Sequence, residues 1–303
     1  MIVKGRAEAP TLIALCICYT SFFLLTSHAG GLPGWIIYPA LAIVIAFHSS
    51  LQHEAIHGHP TSISWINAAL VFPPLGLSFP YERYKTTHLQ HHQDARLTDP
   101  YDDPESWYID PVRWGRTGSV MRLILHVNNS LAGRMLIGPA LGFVRFVSAD
   151  LMLILSGRGD IARAWGLHLI GGAAVIWWLF LTGVSPIGYV LACYGGLSLI
   201  NLRSFLEHRA EERVRGRSAI VEDRGPLALL YLNNNLHAVH HAHPEVPWAK
   251  LPVLYRAHRA RFLEMNGGYV FPSYISVIGR YAVRAKEPPA HPLMQEAPKV
   301  LAE

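Results

Sequence analysis

The chain has 303 residues, 51% hydrophobic and only 16% charged, with a formal net charge of +5 and a mean hydropathy of +0.22. An ordinary soluble domain carries about 25% charged residues, so a disordered chain is excluded and a fully solvated enzyme surface is disfavoured. The three cysteines, Cys16, Cys18 and Cys193, all sit in apolar runs and read as packing residues, not as a disulfide framework.

Lys, Arg, Asp and Glu are absent from Ala9 to His53 and again from Ala164 to Leu202. One membrane crossing needs about 20 residues, so each stretch accommodates two. Turn signals interrupt both, His28-Ala-Gly-Gly-Leu-Pro-Gly34 in the first and Thr182-Gly-Val-Ser-Pro186 in the second. The pattern predicts two helical hairpins: Pro10–Ser27 with Pro33–Gln52, and Ala162–Thr182 with Pro186–Leu206. The first run has a basic start but passes directly into a second span, without a small-residue cleavage site, so it is not read as a signal peptide. Between the hairpins, Ser62–Tyr81 is also uncharged but holds Pro73, Pro74 and Pro80. Proline disrupts a straight helix, and a re-entrant or interfacial segment is expected there. Val120–Ile154 mixes apolar residues with Arg122, Arg134, Arg145 and Asp150, which predicts amphipathic helices on the membrane surface.

The expected fold is therefore all-α: an integral membrane four-helix core of two transmembrane hairpins with a cytoplasmic helical cap. Residues 1–285 form one domain, and the Pro-rich polar stretch 286–303 is expected to be a disordered tail. Neither hairpin turn carries a basic residue, so both termini, Glu54–Arg163 and Arg203–Glu303 are expected on the cytoplasmic side.

Histidines gather at the cytoplasmic ends of these spans. His53-Glu-Ala-Ile-His57 comes directly after the second span, with His59 just beyond. His88-Leu-Gln-His91-His92 comes after the proline-rich stretch, and His208 closes the fourth span. His237-Ala-Val-His240-His241 comes later, with His243 after it. Helical residues four apart share a face, so His53 and His57 can serve one metal. In a His-x-x-His-His run, the first and fourth positions are expected to share a metal and the fifth to reach a neighbouring one. Eight imidazoles, nine with His208, exceed what one metal takes, since a structural zinc uses four ligands and a catalytic zinc three. Two metals are implied, and imidazole suits iron, zinc, copper or nickel. With 17 histidines in the chain, one such run arises by chance on the order of 0.05 times, so two of them are a specific signal. His28, His126, His258 and His291 read as solvated or capping residues, His48 and His168 as packing residues within spans. His59 and His243 stand between bystander and member of the metal surroundings.

His53-Glu-Ala-Ile-His57 also matches the zinc metalloprotease signature, with Glu54 as its catalytic general base. That reading leaves both His-x-x-His-His runs unexplained. A non-enzymatic metal-binding or transport protein is a third class.

One His-x-x-x-His and two His-x-x-His-His boxes separated by spanning hairpins resemble the membrane fatty acid desaturase and hydroxylase superfamily, over roughly Pro33 to Tyr255. Asp94–Trp107 resembles the segment after the second box in bacterial members, and Asn233-Asn-Asn-Leu-His237 the approach to the third. The resemblance implies a non-haem di-iron centre at the cytoplasmic face of a bacterial inner membrane. It implies O2 as co-substrate and removal of hydrogen from an aliphatic C–H/C–H pair, with hydroxylation as the alternative. His53, His57, His88, His91, His92, His237, His240 and His241 would be iron ligands, with His208 as the extra histidine after the fourth span. Glu54, Asp94 and Glu207 are candidates for orienting the rings. The substrate implied is a fatty acyl chain or a small lipid-like or amino-acid-derived compound. The cysteines form no cluster motif, so a separate electron carrier such as a ferredoxin or rubredoxin is expected. Arg209, Arg213, Arg215 and Arg217 offer it an electrostatic landing. The lipid bilayer is the other partner, and no nucleic acid is expected.

Overall fold

A computed structural model describes residues 8–294, except the side chain of Asp94. In chain order, α1 (Ala9–Ser27) and α2 (Gly34–Ile56) form the first hairpin. α3 (Ser64–Leu70) and α4 (Tyr81–His91) come next, then α5 (Pro111–Arg116), α6 (Ser119–Asn128), α7 (Leu131–Leu136) and α8 (Gly138–Leu155). α9 (Gly159–Leu181) and α10 (Pro186–Glu207) make the second hairpin. The remainder is a cap of α11 (Pro226–Leu230), α12 (His237–Ala242), α13 (Leu251–Ala257), α14 (Arg259–Met265) and α15 (Tyr274–Tyr281). Two parallel two-residue strands, β1 (Ile220–Val221) and β2 (Val270–Phe271), are a small exception to the all-α expectation.

The hairpin turns read from the sequence are present, and they lie at the same end of the bundle. Gly183 takes a positive φ of 68° after α9, and Ser185 caps α10 by accepting from the Gly188 N–H, with Pro186 in the first turn. Trp178 Nε1, near the end of α9, donates to Thr26 Oγ1 near the end of α1 at 2.9 Å. At the opposite end, α2 and α10 run into the histidine boxes. Small residues bring these two helices together: a Cβ on Gly196 would lie 2.7 Å from Ile45 Cγ2 and 3.2 Å from the Ala42 carbonyl. Close approach through small residues is how helices associate where lipid removes the hydrophobic drive.

The proline-rich stretch enters the bundle as a re-entrant segment. Beyond the short α3 its backbone is irregular, and in a bilayer such backbone must be satisfied by protein. Four carbonyls are each met by a side chain from a spanning helix. Tyr19 Oη donates to Leu70 O (2.7 Å), Gln52 Nε2 to Val71 O (3.3 Å) and Tyr189 Oη to Leu75 O, while His168 Nε2 lies 3.2 Å from Leu77 O. His48 Nε2 is 3.3 Å from the same Tyr19 hydroxyl. The two histidines inside the spans are thus occupied in packing this segment.

The stretch Val120–Ile154 is three helices, and the last, α8, is a fifth helix long and apolar enough to cross a membrane. Its connections argue for a course along the surface. Gly138 at its start packs on Asn201 of α10, and its end turns through Ser156–Arg158 into the start of α9. Both ends therefore lie at the histidine end of the bundle. Along its length Arg145 donates to Ser106 O (2.6 Å), and Asp150 pairs with Arg83 of α4 (2.7 Å). Apolar Val144, Leu151 and Met152 remain exposed to face lipid. The stretch expected as a disordered tail, 286–303, differs over its described part. Residues 286–294 are anchored: Lys286 N donates to Asn129 O, Ile109 N to Pro289 O and His291 N to Ile109 O, each at 2.9 Å. Polar composition concealed backbone pairing with a distant loop. Residues 295–303 lie outside the described residues.

Gly196→Leu is expected to force α2 from α10 and to lower stability by about 1–3 kcal/mol, as overpacking does. Thermal unfolding in detergent checks this, with Gly166→Leu as control, because nothing lies within 4 Å of a Cβ there.

Candidate metal centre

Helix ends deliver the histidines. His53 lies in the last turn of α2 and His57 is its C-cap; His88 and His91 lie in the last turn of α4 and His92 is its C-cap. His208 is the C-cap of α10, and α12 carries His237, His240 and His241. Three helices thus point their C-terminal, partially negative ends at one region, which favours a cation there.

The nine imidazoles fall into two adjoining groups. His53, His57, His88, His92 and His240 form one, and His91, His208, His237 and His241 the other; within each, the potential ligand atoms lie within 4.8 Å of one another. The groups meet where His92 and His241 stack at 4.2 Å between ring centroids, 7° from parallel. The division of the His-x-x-His-His runs differs from the expectation. The first and fifth positions stay together, His88 with His92 and His237 with His241, and the fourth, His91 or His240, crosses to the other group. On a helix of 3.6 residues per turn, i and i+4 diverge by only about 40°, whereas i+3 falls about 60° to the other side. The two runs therefore exchange one ligand each.

The ring nitrogens are arranged as metal ligands require. His88 Nδ1 is 2.8 Å from Glu105 Oε1 and His91 Nδ1 is 2.8 Å from Asp103 Oδ1. His237 Nδ1 lies 3.0 Å from Asn234 Oδ1 and 3.5 Å from Glu207 Oε1. Each contact places the proton on Nδ1 and leaves the Nε2 lone pair facing inward. There the Nε2 atoms face one another: His57 to His88 at 3.1 Å, His92 to His88 at 3.0 Å, His208 to His91 at 2.9 Å and His237 to His208 at 3.0 Å. The buried His53 Nε2 has no hydrogen-bond partner among the described residues. Lone pairs converging without donors fit a cation between them.

Electrostatics agree. Burial, reinforced by the neighbouring imidazoles, lowers His57 to about 2 and holds His92, His208, His237 and His240 well below the usual histidine range. They are neutral, the form that binds metal. His91 is the exception. Burial opposes its charge, but Glu105 and Asp103 outweigh burial and raise it to about 9. Burial likewise disfavours the Glu105 carboxylate, yet the facing His91 and His88 hold it well below the usual carboxylate range.

Glu54 lies elsewhere. Its Oε1 accepts from the Trp248 backbone N–H at 2.8 Å, and it groups with Glu8 and His59, not with the nine imidazoles. It ties the loop after α12 to α2, and the carboxylate placement of the protease reading is not seen. His243 is paired with Glu245 on the surface. Glu207 stands beside His237, as sequence adjacency anticipates, whereas Glu105, Asp103 and Asn234 are not singled out by spacing. The side chain of Asp94 lies outside the described residues.

These features define a class: an integral membrane protein of helical hairpins with a polyhistidine site for metal at one end. The chain belongs to the fatty acid desaturase family, whose model matches residues 29–273. A search of curated proteins found no match.

Asp103 accepts from His91 and from the backbone N–H groups of Thr98 and Glu105, both at 2.9 Å. Asp103→Asn is therefore expected to weaken metal retention at the four-imidazole group by about 10–100-fold. Metal analysis after graded chelator treatment checks this; retention equal to that of the unaltered protein would refute the orienting role.

Proposed function

We propose that the protein is an O2-dependent di-iron desaturase that converts an aliphatic CH2–CH2 pair into an alkene. The observation that carries this reading is the union of nine imidazoles in two adjoining groups at one end of a lipid-embedded bundle. In this reading His53, His57, His88, His92 and His240 hold one iron, and His91, His208, His237 and His241 the other. When bound, the iron pair supplies an oxidant, made from O2, that can break an unactivated C–H bond. Removing two hydrogens while reducing O2 to two waters takes two further electrons and two protons. Hydroxylation on the same scaffold is the second reading; it takes the same electrons but leaves one oxygen in the product.

The chain's own residues set the conditions for that chemistry. Glu105, Asp103, Asn234 and Glu207 fix the rings of His88, His91 and His237 so that their Nε2 atoms need no rearrangement to accept metal. Burial keeps His57, His92, His208, His237 and His240 unprotonated, so at these rings metal competes with few protons. Electrons come from a separate carrier, a ferredoxin or rubredoxin, docking at the cytoplasmic face near Arg209, Arg213, Arg215 and Arg217. The excess of Lys and Arg at the histidine end supports that orientation. The family's bilayer environment supports a lipid-like or acyl substrate as the starting class.

Purified protein is expected to contain two irons per chain. His240→Ala and His237→Ala, one from each group, are each expected to halve the iron and to lower product formation at least 100-fold. Product analysis by mass spectrometry in a host fed candidate substrates distinguishes alkene from alcohol. One zinc per chain, or full activity in His240→Ala, would overturn the reading.

A further inference from the structure

A cavity of ≈ 70 Å³ adjoins the four-imidazole group, and His91, His208, Trp107, Phe205, Arg134 and Lys286 all contribute to its wall. Arg134 is only 4% exposed. Its guanidinium stacks 4.1 Å from the Trp107 ring centroid and 5.7 Å from that of Phe205. Its Nε donates to Asn128 O at 3.1 Å, while its terminal nitrogens have no hydrogen-bond or ion-pair partner among the described residues. The backbone carbonyl of Arg134 is held by Asn201 Nδ2 at 3.1 Å, which fixes α7 against α10. Lys286 Nζ donates to the His208 carbonyl and lies 5.8 Å from the Phe205 ring centroid.

The acids in the same wall are already engaged. Asp103 serves His91, Glu105 serves His88, and Glu207 pairs with Arg203 at 2.7 Å. Burial raises Glu287 to about 7, so its negative charge is disfavoured. Arg134 is thus a buried guanidinium with no carboxylate paired to it, and Lys286 shares its cavity. Burial and the neighbouring Arg134 lower Lys286 to about 7, against the opposing pull of Glu207, so an entering carboxylate would favour its charged form. A buried charge without a counter-charge is costly, and a guanidinium fork matches a carboxylate in two-point geometry. The space is small, since pockets for drug-sized ligands run to about 300–1,000 Å³.

We propose that this cavity seats the substrate, and that it selects a compact organic acid whose carboxylate is gripped by Arg134 and Lys286 while its aliphatic carbons lie toward the His91 and His208 wall. The inference rests on the iron-oxidase reading above and narrows its substrate from acyl chains in general to short carboxylates. Trp107 and Phe205 keep the cations dry and give the aliphatic portion an apolar surface. A long acyl chain has no comparable claim on the site, because its length exceeds the cavity and its bulk would not need a buried guanidinium.

The test is calorimetric titration of the iron-loaded protein in detergent with sodium butyrate, butyramide, sodium palmitate and sodium phosphate. Butyrate is expected to bind and butyramide not to. Arg134→Gln and Lys286→Met are each expected to weaken butyrate at least tenfold, with Arg134→Lys recovering part of the loss. If Arg134→Gln fails to fold, Lys286→Met and Arg134→Lys decide. Equal butyrate affinity in the variants, tighter binding of palmitate than of butyrate, or displacement of butyrate by equimolar phosphate would each overturn the proposal. Iron is counted in the same samples: two irons without butyrate binding sinks this inference alone, whereas absence of iron sinks the reading beneath it.

Discussion

Everything in this structure depends on one electrostatic predicament. Nine imidazoles are gathered at the end of an apolar bundle, and their Nε2 lone pairs face one another at about hydrogen-bonding distance. In water such rings would hydrate or protonate. Here burial and mutual repulsion suppress protonation at most of them, His91 being the exception, and the carboxylates behind His88 and His91 hold a proton on Nδ1. A cation among the inward-facing nitrogens would satisfy them, and the C-terminal ends of α2, α4 and α10 supply a field of the same preference.

The scaffold explains how three distant runs of chain can be held so closely. α2 and α10 must approach to bring His53 and His57 near His208, and Gly196 against Ile45 and Ala42 permits this. The re-entrant segment then has to return the chain to the same end so that α4 can add its run. It does so with irregular backbone, and the cost is met by four side chains of the spanning helices, Tyr19, Gln52, His168 and Tyr189. These polar groups inside the spans are therefore part of the machinery that places the second histidine run, although none touches it.

Much of the site is legible in the sequence because metal ligation imposes a strict local rule: His at helical spacing, repeated. The nine histidines, the two hairpins and the re-entrant segment all emerge from periodicity, charge gaps and prolines. The split of each His-x-x-His-His run is not legible, because spacing alone does not say which of i+3 and i+4 turns toward a given centre; the angle at which α4 and α12 meet decides it. Glu105 and Asp103 are hidden for a different reason. They lie 17 and 12 residues after their histidines, on a loop whose return path is set by tertiary contacts. An acid-rich sequence such as Asp99–Glu105 hints at such a role without fixing the pairing. The anchored stretch 286–294 is hidden because its contacts are backbone pairings with Asn129 and Ile109, to which composition is blind.

The unequal groups carry one further consequence. Among the described residues, the five-imidazole group is backed by one carboxylate, Glu105, through His88. The four-imidazole group is backed by Asp103 through His91, with Glu207 and Asn234 behind His237. Carboxylates behind the rings raise their basicity and offset positive charge, so the two groups are electrostatically distinct even though both are built from imidazole alone. His91 marks the difference, being raised to about 9 while its neighbours are depressed. The cavity with Arg134 and Lys286 opens beside this more heavily buttressed group. Negative charge behind the rings and the Arg134 guanidinium across the cavity create a field along the wall that contains His91 and His208. An anionic molecule is aligned by such a field, whereas a neutral chain is not, and the polarity of the site is thus built into the wall before any substrate arrives.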